Sequence, residues 1–324
     1  MKLKKKEKIF EYIFTLFIII TLNFALPRMM PGDPFLHNTG GEGEVFTTHT
    51  VEQIQYYREY YGLDKPLYIQ YGTYLKELAK GDLGYSYYYK TDVLSIIYKR
   101  FPWTILLVFS ALGFSIIFGT ILGSISAWYR NSWQDQILYI LLIIISEIPA
   151  FLIGIFLLVV LAAALNFFPL AGSISHFRDY SSNFEKIIDI AQHAFLPVMT
   201  LTLARIGGIY LLVRNSLSTV LNKDYVRTAK AKGLKEVRIK YIYALGNALL
   251  PLLTRVSLQL GAMIGGAILA ESVFAYPGLG LLMRNAVSVR DYPLIQGIFL
   301  ILALMVMIAN LTADLLYKKI DPRV

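Results

Sequence analysis

The run FPWTILLVFSALGFSIIFGTILGSISAWY occupies Phe101 to Tyr129 and contains no Asp, Glu, Lys or Arg. The hydrocarbon core of a bilayer is about 30 Å thick and a helix rises about 1.5 Å per residue, so about 20 apolar residues suffice to cross it. Backbone polar groups cannot stay unsatisfied in lipid, which makes a helix the default spanning element. This stretch therefore predicts a transmembrane helix.

Five further stretches have the same character, and each contains at most one Asp, Glu, Lys or Arg. They are Tyr12 to Pro27, Gln136 to Phe177, Ile190 to Val213, Val256 to Met283 and Tyr292 to Ala313. The sequence therefore predicts an all-α integral membrane fold with six transmembrane helices. The third and fifth stretches along the chain are longer than a span needs, so we expect their ends to run into loops or re-entrant pieces.

Composition agrees with a membrane protein. Of the 324 residues, 56% are hydrophobic and only 16% are charged, whereas soluble domains carry about 25% charged residues. This excludes disordered, collagen-like and soluble multi-domain classes. The chain has no cysteine, which excludes disulfides, thiolate metal sites and a cysteine nucleophile.

The net charge of +9 has a topological origin. One set of connecting segments holds 17 Lys and Arg in 56 residues, and the other holds 11 in 113. The denser set should be cytoplasmic, which puts both termini inside, and no nucleic-acid-binding motif is present. The first set is 1–8, 129–135, 214–245 and 316–324, and the second is 31–101, 166–189 and 276–293. The first apolar run lacks an A-x-A ending, which favours an uncleaved helix over a signal peptide.

These patterns divide the chain into three parts. Residues 1–30 form a tail and the first helix, 31–101 an external segment, and 102–324 a five-helix core that includes the cytoplasmic loop 214–245. The external segment has turn signals and a helical patch near Val51 to Tyr61. Its cluster Tyr85-Ser-Tyr-Tyr-Tyr89 is typical either of an aromatic belt at the membrane or of contact with an external protein.

Two small-xxx-small patterns predict close helix packing. Gly119 and Gly123 form the first, and Gly261 and Gly265 form the second. Small residues let backbones approach where lipid supplies no hydrophobic drive to associate. The alternative is that glycine is simply frequent in membrane helices.

The cytoplasmic loop contains a short amphipathic pattern. The run from Asp224 to Leu234 predicts a helix with Asp224 as N-cap and Gly233 at the C′ position. Val226, Ala229 and Gly233 share one face, and such a small-residue face fits a groove in another protein. The alternative is a basic loop that only enforces topology.

Three ionisable residues interrupt the apolar stretches: Glu147, Arg205 and Glu271. Such residues are costly in lipid and face the bundle interior or a water-filled cavity. They indicate a polar translocation path, or else ion pairs or positions nearer the interface. Glu147 precedes Pro149, which we expect to kink the helix and free backbone carbonyls.

Catalytic motifs are absent from the sequence. It contains no G-x-x-x-x-G-K-[ST] phosphate loop, no H-E-x-x-H pair and no G-x-S-x-G elbow. The four histidines are scattered, and only His193 lies near a span. We therefore predict no catalytic residue and no metal site in this chain, and an intramembrane hydrolase has little support. The histidines are His37, His49, His176 and His193.

Several short strings follow an order and spacing that resembles one family. They are Met30-Pro-Gly-Asp-Pro34, Tyr61-Gly-Leu-Asp-Lys-Pro66, Gln70-Tyr71, Gly81-Asp-Leu-Gly84 before Ser86, Asp224-Tyr-Val-Arg-Thr-Ala-Lys-Ala-Lys-Gly-Leu234, Asn247-Ala-Leu-Leu-Pro251, Gly266-Ala-Ile-Leu-Ala-Glu271, Pro277-Gly-Leu-Gly280, Arg290-Asp-Tyr-Pro293, Gln296-Gly297, Asp314-Leu-Leu-Tyr317 and Asp321-Pro-Arg323. Over nearly the whole length, the chain resembles the permease subunits of bacterial ABC importers for dipeptides, oligopeptides and nickel.

The resemblance implies a fold, a location and partners. The fold would be that of a type I ABC importer permease in the bacterial cytoplasmic membrane. Two permease chains, usually different, would form the pore above two cytoplasmic ATPases, and an external binding protein would deliver substrate. ATP and Mg would belong to the ATPases, so this chain would bind no cofactor and would not be an enzyme.

The resemblance also assigns the cytoplasmic helix to ATPase coupling. The family loop is summarised as Glu-Ala-Ala, three residues, then Gly. Here Arg227-Thr-Ala229 replaces the triplet, as in the peptide branch, and Gly233 is kept. The implied coupling residues are Asp224, Tyr225, Arg227, Thr228, Ala229, Lys230, Lys232, Gly233 and Leu234. Glu147 is not a feature of the family pattern.

Two alternatives stay open on the sequence. An ion-gradient-driven secondary transporter would use Glu147 and Glu271 as proton or cation sites, but it predicts an internal repeat that the sequence does not show. A nickel-chelate importer permease shares the same family pattern. The absence of cysteine and of clustered histidine favours a peptide over a metal chelate.

Overall fold

A computed structural model describes residues 2–30, 51–60, 62–175 and 178–320. Within these ranges the secondary structure is helical, apart from turns and one isolated bridge between Tyr85 and Asp92. The α-helices are α1 (Lys2–Arg28), α2 (Val51–Tyr60), α3 (Leu67–Leu78), α4 (Val93–Trp128), α5 (Trp133–Glu147), α6 (Ala150–Leu157), α7 (Asn183–Leu221), α8 (Asp224–Ala231), α9 (Glu236–Arg238), α10 (Gly246–Ala248), α11 (Leu250–Val273), α12 (Leu279–Ser288) and α13 (Tyr292–Ile320). Two π-helical segments, Leu158–Ala164 and Ile239–Leu245, continue α6 and α9.

Four of the described helices are long and apolar enough to cross a membrane. They are the Phe10–Arg28 part of α1, α4, α7 and the Tyr292–Thr312 part of α13. A fifth candidate is the bent pair of α5 with Ala150–Ala164, and α11 contributes a shorter apolar piece. The all-α membrane fold is confirmed, while the count of six spans and the side of the termini stay predictions.

The third apolar stretch breaks where its proline predicts. α5 and the following helix meet at an angle of 99°. Ile148 at the break has an extended backbone, with φ −74° and ψ 128°, and Pro149 is the N-cap of α6. Proline disfavours a helical conformation in the residue before it and donates no hydrogen bond, which explains the break.

The fifth apolar stretch also runs into a loop, as expected from its length. α11 ends at Val273, and the chain turns before α12 begins at Leu279. The chain separates into two compact units, and the predicted boundaries of the three parts stay predictions. One unit comprises Met1–Pro102 with Leu281–Met307, and the other Trp103–Gly280 with Ile308–Val324.

Glycines bring α4 close to α7. A Cβ on Gly119 would lie 2.8 Å from the side chain of Ile209, and one on Gly123 would lie 2.7 Å from the carbonyl oxygen of Tyr210. The structure thus supports packing at this pair. Gly265 instead has open space within 4 Å, so it makes no close contact with the described part of the chain, and the role of Gly261 stays a prediction.

Gly207, which no sequence pattern singled out, brings α7 close to α5. A Cβ on Gly207 of α7 would lie 2.4 Å from Ser146 Oγ and 2.7 Å from the carbonyl oxygen of Leu142 in α5. Gly207 has no small residue four positions before or after it, so it forms no small-xxx-small pattern in the sequence.

Some predicted features lie outside the described residues. These are Pro31 to Pro34 of the first string, the external residues 35–50, Tyr61, the string Asp321-Pro-Arg323, and His37, His49 and His176.

Candidate functional site

The helix α8 is the structural form of the amphipathic pattern in the cytoplasmic loop. Gly233 has φ +70°, its N–H donates to the Lys230 carbonyl (2.9 Å), and the Leu234 N–H donates to the Ala229 carbonyl (3.3 Å). This pair of bonds is a Schellman cap, in which glycine takes the left-handed C′ position at little cost. The predicted stop at Gly233 is confirmed.

The predicted start of α8 is wrong by one residue. Lys223, not Asp224, is the N-cap, with φ −75° and ψ 149°, and its carbonyl accepts from the N–H groups of Val226 and Arg227. No side chain caps this end. Asp224 is the first helical residue, where its negative charge interacts favourably with the helix dipole.

The two faces of α8 have different surroundings. Val226 and Ala229 are buried against Ile239, with Leu234 packed alongside. The prediction that this face binds another protein is wrong for Val226 and Ala229, because the chain itself covers them. The exposed residues are Asp224, Tyr225, Arg227, Thr228, Lys230, Lys232 and Gly233. A partner would therefore meet a basic, polar face.

A chain of packed side chains connects α8 to the membrane helices. Ile239, which covers Val226, begins the π-helical segment Ile239–Leu245. In this segment the Tyr241 ring meets Trp128 at the end of α4, edge to face at 5.1 Å, and Lys240 Nζ lies 5.5 Å from the same ring. The segment Ile239–Leu245 thus contacts both α8 and the end of a spanning helix.

A buried ion pair fixes the helix ends beside this loop. Arg214 of α7 donates from Nε and Nη2 to the two carboxylate oxygens of Asp135, both at 2.7 Å. Ser126 of α4 also donates to Asp135 and exchanges a hydrogen bond with Tyr210 at 2.7 Å. Bidentate pairs of this kind are geometrically specific. In the sequence, Arg214 was considered only as one of the positive charges that orient the chain in the membrane, so this network was not predicted.

A polar cleft opens between α5, α7 and α11. Its volume is about 370 Å³, and Glu147, Arg205, Arg255 and Gln259 are its polar lining residues with ionisable or amide groups. The structure therefore brings together two of the three ionisable residues assigned to a translocation path. Arg255 and Gln259 were not singled out, because Arg255 lies at the border of an apolar stretch that was taken to begin at Val256.

Glu271, the third of these residues, lies in a different environment. It is fully buried, and it does not line the cleft. Thr104 Oγ1 donates to its Oε1 (2.7 Å), the Gly280 N–H donates to its Oε2 (2.6 Å), and the Leu279 N–H donates to Thr104 Oγ1 (2.8 Å). Together these groups satisfy the first N–H groups of α12.

The two glycines of the string Pro277-Gly-Leu-Gly280 are explained by the close approach of this turn to the Glu271 carboxyl group. A Cβ on Gly278 would lie 2.3 Å from the Glu271 carboxyl, and one on Gly280 would lie 2.4 Å from Ile268 Cα. Only glycine lets the turn approach so closely. Glu271 therefore holds a tight turn in place, and its assignment to a translocation path stays a prediction.

The tyrosine-rich string of the external segment is anchored by a buried carboxyl group. Asp291 accepts hydrogen bonds from Ser86 Oγ, the Tyr88 N–H (3.1 Å) and the Leu294 N–H (3.3 Å). Burial raises the pKa of Asp291, and these hydrogen bonds act in the opposite direction. The strings around Ser86 and Asp291 are thus two halves of one local structure.

His193 contacts the backbone of its own helix. Its Nδ1 is 2.9 Å from the carbonyl oxygen of Asp189, four residues earlier in α7. In the part of the chain that the structure describes, no group of three His, Asp or Glu side chains could hold a metal ion.

Residues 119–324 match the family described as binding-protein-dependent transport system inner membrane component. The chain belongs to this family. Residues 6–108 match the corresponding N-terminal membrane component. This protein is therefore a permease subunit of an ABC importer in the bacterial inner membrane. Transport systems of this family depend on a binding protein.

Relatives of the permease match its sequence over almost the full length. The glutathione transport system permease protein GsiC of Shigella flexneri serotype 5b is 35% identical over 318 residues, which cover 98% of this chain and 97% of the relative. GsiC of Escherichia coli K12 is 34% identical over the same shares of the two chains. A chain of the inward-facing MetNI methionine ABC transporter shares the fold, with a TM-score of 0.55 and 15% identity over 70% of this permease and 97% of that chain.

Proposed function

We propose that the permease forms one half of the translocation pore of an ATP-driven importer of short peptides. A second, non-identical permease chain forms the other half, two cytoplasmic ATPases bind ATP and Mg, and an external binding protein delivers the peptide. This chain binds no cofactor, metal or nucleic acid and catalyses no reaction. The peptide substrate is supported by the relatives named for transport of glutathione, a tripeptide.

One observation carries the coupling part of this proposal. α8 is a short helix whose apolar side is buried in its own chain, while its polar side is exposed. A helix held in this way is rigid enough to transmit a displacement. ATP hydrolysis can bias the pore only if the two states of the permease differ in their contacts with the ATPase. The contact of Ile239 with α8 and that of Tyr241 with Trp128, both from the segment Ile239–Leu245, are the route by which that difference reaches the spans.

The test is made on the complete importer in proteoliposomes. The double variant Arg227→Glu/Lys230→Glu reverses charge on the exposed face of α8 without touching its buried residues. We expect it to lose more than about tenfold in peptide uptake and in binding-protein-stimulated ATP hydrolysis, the equivalent of one charged contact or more. The control is Lys186→Glu, an exposed lysine near the start of α7 on the side predicted to be external.

A matched pair at Gly233 separates the shape of α8 from its charge. At φ +70°, asparagine is tolerated whereas a β-branched residue is strained. We therefore expect Gly233→Val to lose coupling and Gly233→Asn to retain most of it. Full uptake in the double variant would contradict the proposal. So would uptake that needs no ATP and follows a proton gradient, which would favour the secondary transporter, or uptake of nickel chelates in place of peptides.

A further inference from the structure

The polar cleft collects charged residues from distant parts of the chain. Glu147 ends α5, Arg205 lies in the middle of α7, and Arg255 and Gln259 lie in the first half of α11. No sequence pattern links these positions. Their convergence is produced by the packing of three helices, and each helix is otherwise apolar near its contribution.

The cost of charge in a membrane indicates what fills the cleft. Ionisable side chains within spanning segments face the bundle interior or a water-filled cavity, because lipid does not solvate them. Among Asp, Glu, Lys and Arg residues, Arg205 is the only one between Ile190 and Val213. Three such residues around one volume therefore mark a hydrated cavity rather than a lipid-facing surface.

The chain is broken at the same place. Glu147 is the last residue of α5, and the 99° bend follows at Ile148 and Pro149. A discontinuous helix exposes backbone polar groups to whatever occupies the cavity, and secondary transporters, a different class, use such breaks to bind substrate.

Small residues keep the cleft open. Gly208 lines it, and a Cβ there would lie 3.3 Å from Gln259 Nε2. The volume of about 370 Å³ is within the range of small-ligand pockets, which is about 300 to 1,000 Å³. Gln259 is only 6% exposed, so its amide is held in a fixed position at the wall.

The charges of the cleft identify the class of cargo. Two guanidinium groups, on Arg205 and Arg255, accompany one carboxylate, on Glu147, which gives a net charge of +1. Guanidinium groups suit carboxylates, which they bind through two parallel hydrogen bonds. A zwitterionic peptide offers one carboxylate and one ammonium group, and a second carboxylate on the peptide matches the second guanidinium.

We propose that this cleft is a charge-selective site on the translocation path, which favours short peptides with a net negative charge. The inference rests on the proposed peptide import, and it adds Arg255 and Gln259 to the earlier path residues Glu147 and Arg205. Glu271 takes no part in this site.

The test compares initial uptake rates of Ala-Glu-Ala and Ala-Lys-Ala by the complete importer in proteoliposomes. The ratio of the two rates in each variant is divided by the wild-type ratio, which cancels the preference of the binding protein. We expect Arg255→Gln to lower the acidic-to-basic ratio about tenfold and Glu147→Gln to raise it severalfold, in proportion to the loss of one ionic contact. Arg255→Lys keeps the charge but loses the two parallel hydrogen bonds, so its ratio should lie between those of wild type and Arg255→Gln.

The outcomes separate this inference from the proposed function. If the variants transport both peptides with an unchanged ratio, the charge-selective site is wrong and peptide import stands. If the wild-type importer transports neither peptide under ATP, both proposals fail. Because Glu147→Gln and Arg255→Gln should shift the ratio in opposite directions, a general loss of folding in one variant cannot imitate the expected result. Lys186→Gln, on an exposed surface, serves as the neutral control.

Discussion

Glu147 and Glu271 look alike in the sequence, and the structure gives them opposite surroundings. Each is a single carboxyl group that interrupts a long apolar stretch. Glu271 is fully enclosed and accepts hydrogen bonds from Thr104 and the Gly280 backbone. Glu147 is exposed at a helix break and lines the polar cleft.

The difference shows two ways in which a membrane protein accommodates a carboxyl group. One is to surround it with donors from its own chain, which makes the group part of the fold. The other is to keep it in a hydrated cavity, where it stays available to a ligand. Removal of the first should affect stability, and removal of the second should affect transport.

The largest expected effect on stability is that of Glu271→Ala. It removes the acceptor of two short hydrogen bonds and leaves a cavity beside Gly278 and Gly280. Hydrogen bonds to charged groups contribute about 1.5–3 kcal/mol each, so we expect a loss of about 3–5 kcal/mol in the free energy of unfolding. Unfolding titrations in detergent micelles measure this, with Glu147→Ala as the matched control. Equal losses in the two variants would remove the distinction.

A smaller effect is expected at Thr104, which links Glu271 to α12. Thr104→Val preserves the shape of the side chain but removes its hydroxyl group, which accepts the hydrogen bond from the Leu279 N–H. An unsatisfied buried donor costs about 1–3 kcal/mol. Thr104→Ser keeps the hydroxyl and should lose much less in the same titration. If Val and Ser variants unfold alike, the hydrogen bond to Leu279 contributes little to the turn.

Local patterns sufficed to predict much of the fold. Uninterrupted apolar stretches predicted the long helices, Pro149 predicted the break, and Gly233 predicted the end of α8, because each depends on residues close in the chain. The start of α8 was misplaced by one residue, since the extended backbone of Lys223 already provides the first helical carbonyl acceptor.

The surroundings of the site residues could not be predicted in the same way. Glu271 and its donor Thr104 are 167 residues apart in the chain. Likewise, the burial of Val226 and Ala229 depends on Ile239 folding back over them, so an amphipathic pattern alone could not tell an internal contact from an external one. Arg255 was overlooked because only the packing of α11 against α7 brings it to the cleft beside the end of α5.

The smallest effect on stability is expected for Glu147→Gln, and it tests the comparison between Glu147 and Glu271 most directly. Glu147→Gln and Glu271→Gln are measured side by side, for free energy of unfolding and for peptide uptake by the complete importer. We expect Glu147→Gln to stay within about 0.5 kcal/mol of wild type, as exposed substitutions do, while its uptake ratio for acidic and basic peptides changes severalfold. Glu271→Gln should lose about 1–3 kcal/mol and keep the wild-type ratio. A destabilised Glu147→Gln with an unchanged ratio, or a Glu271→Gln variant of wild-type stability with altered selectivity, would contradict the account.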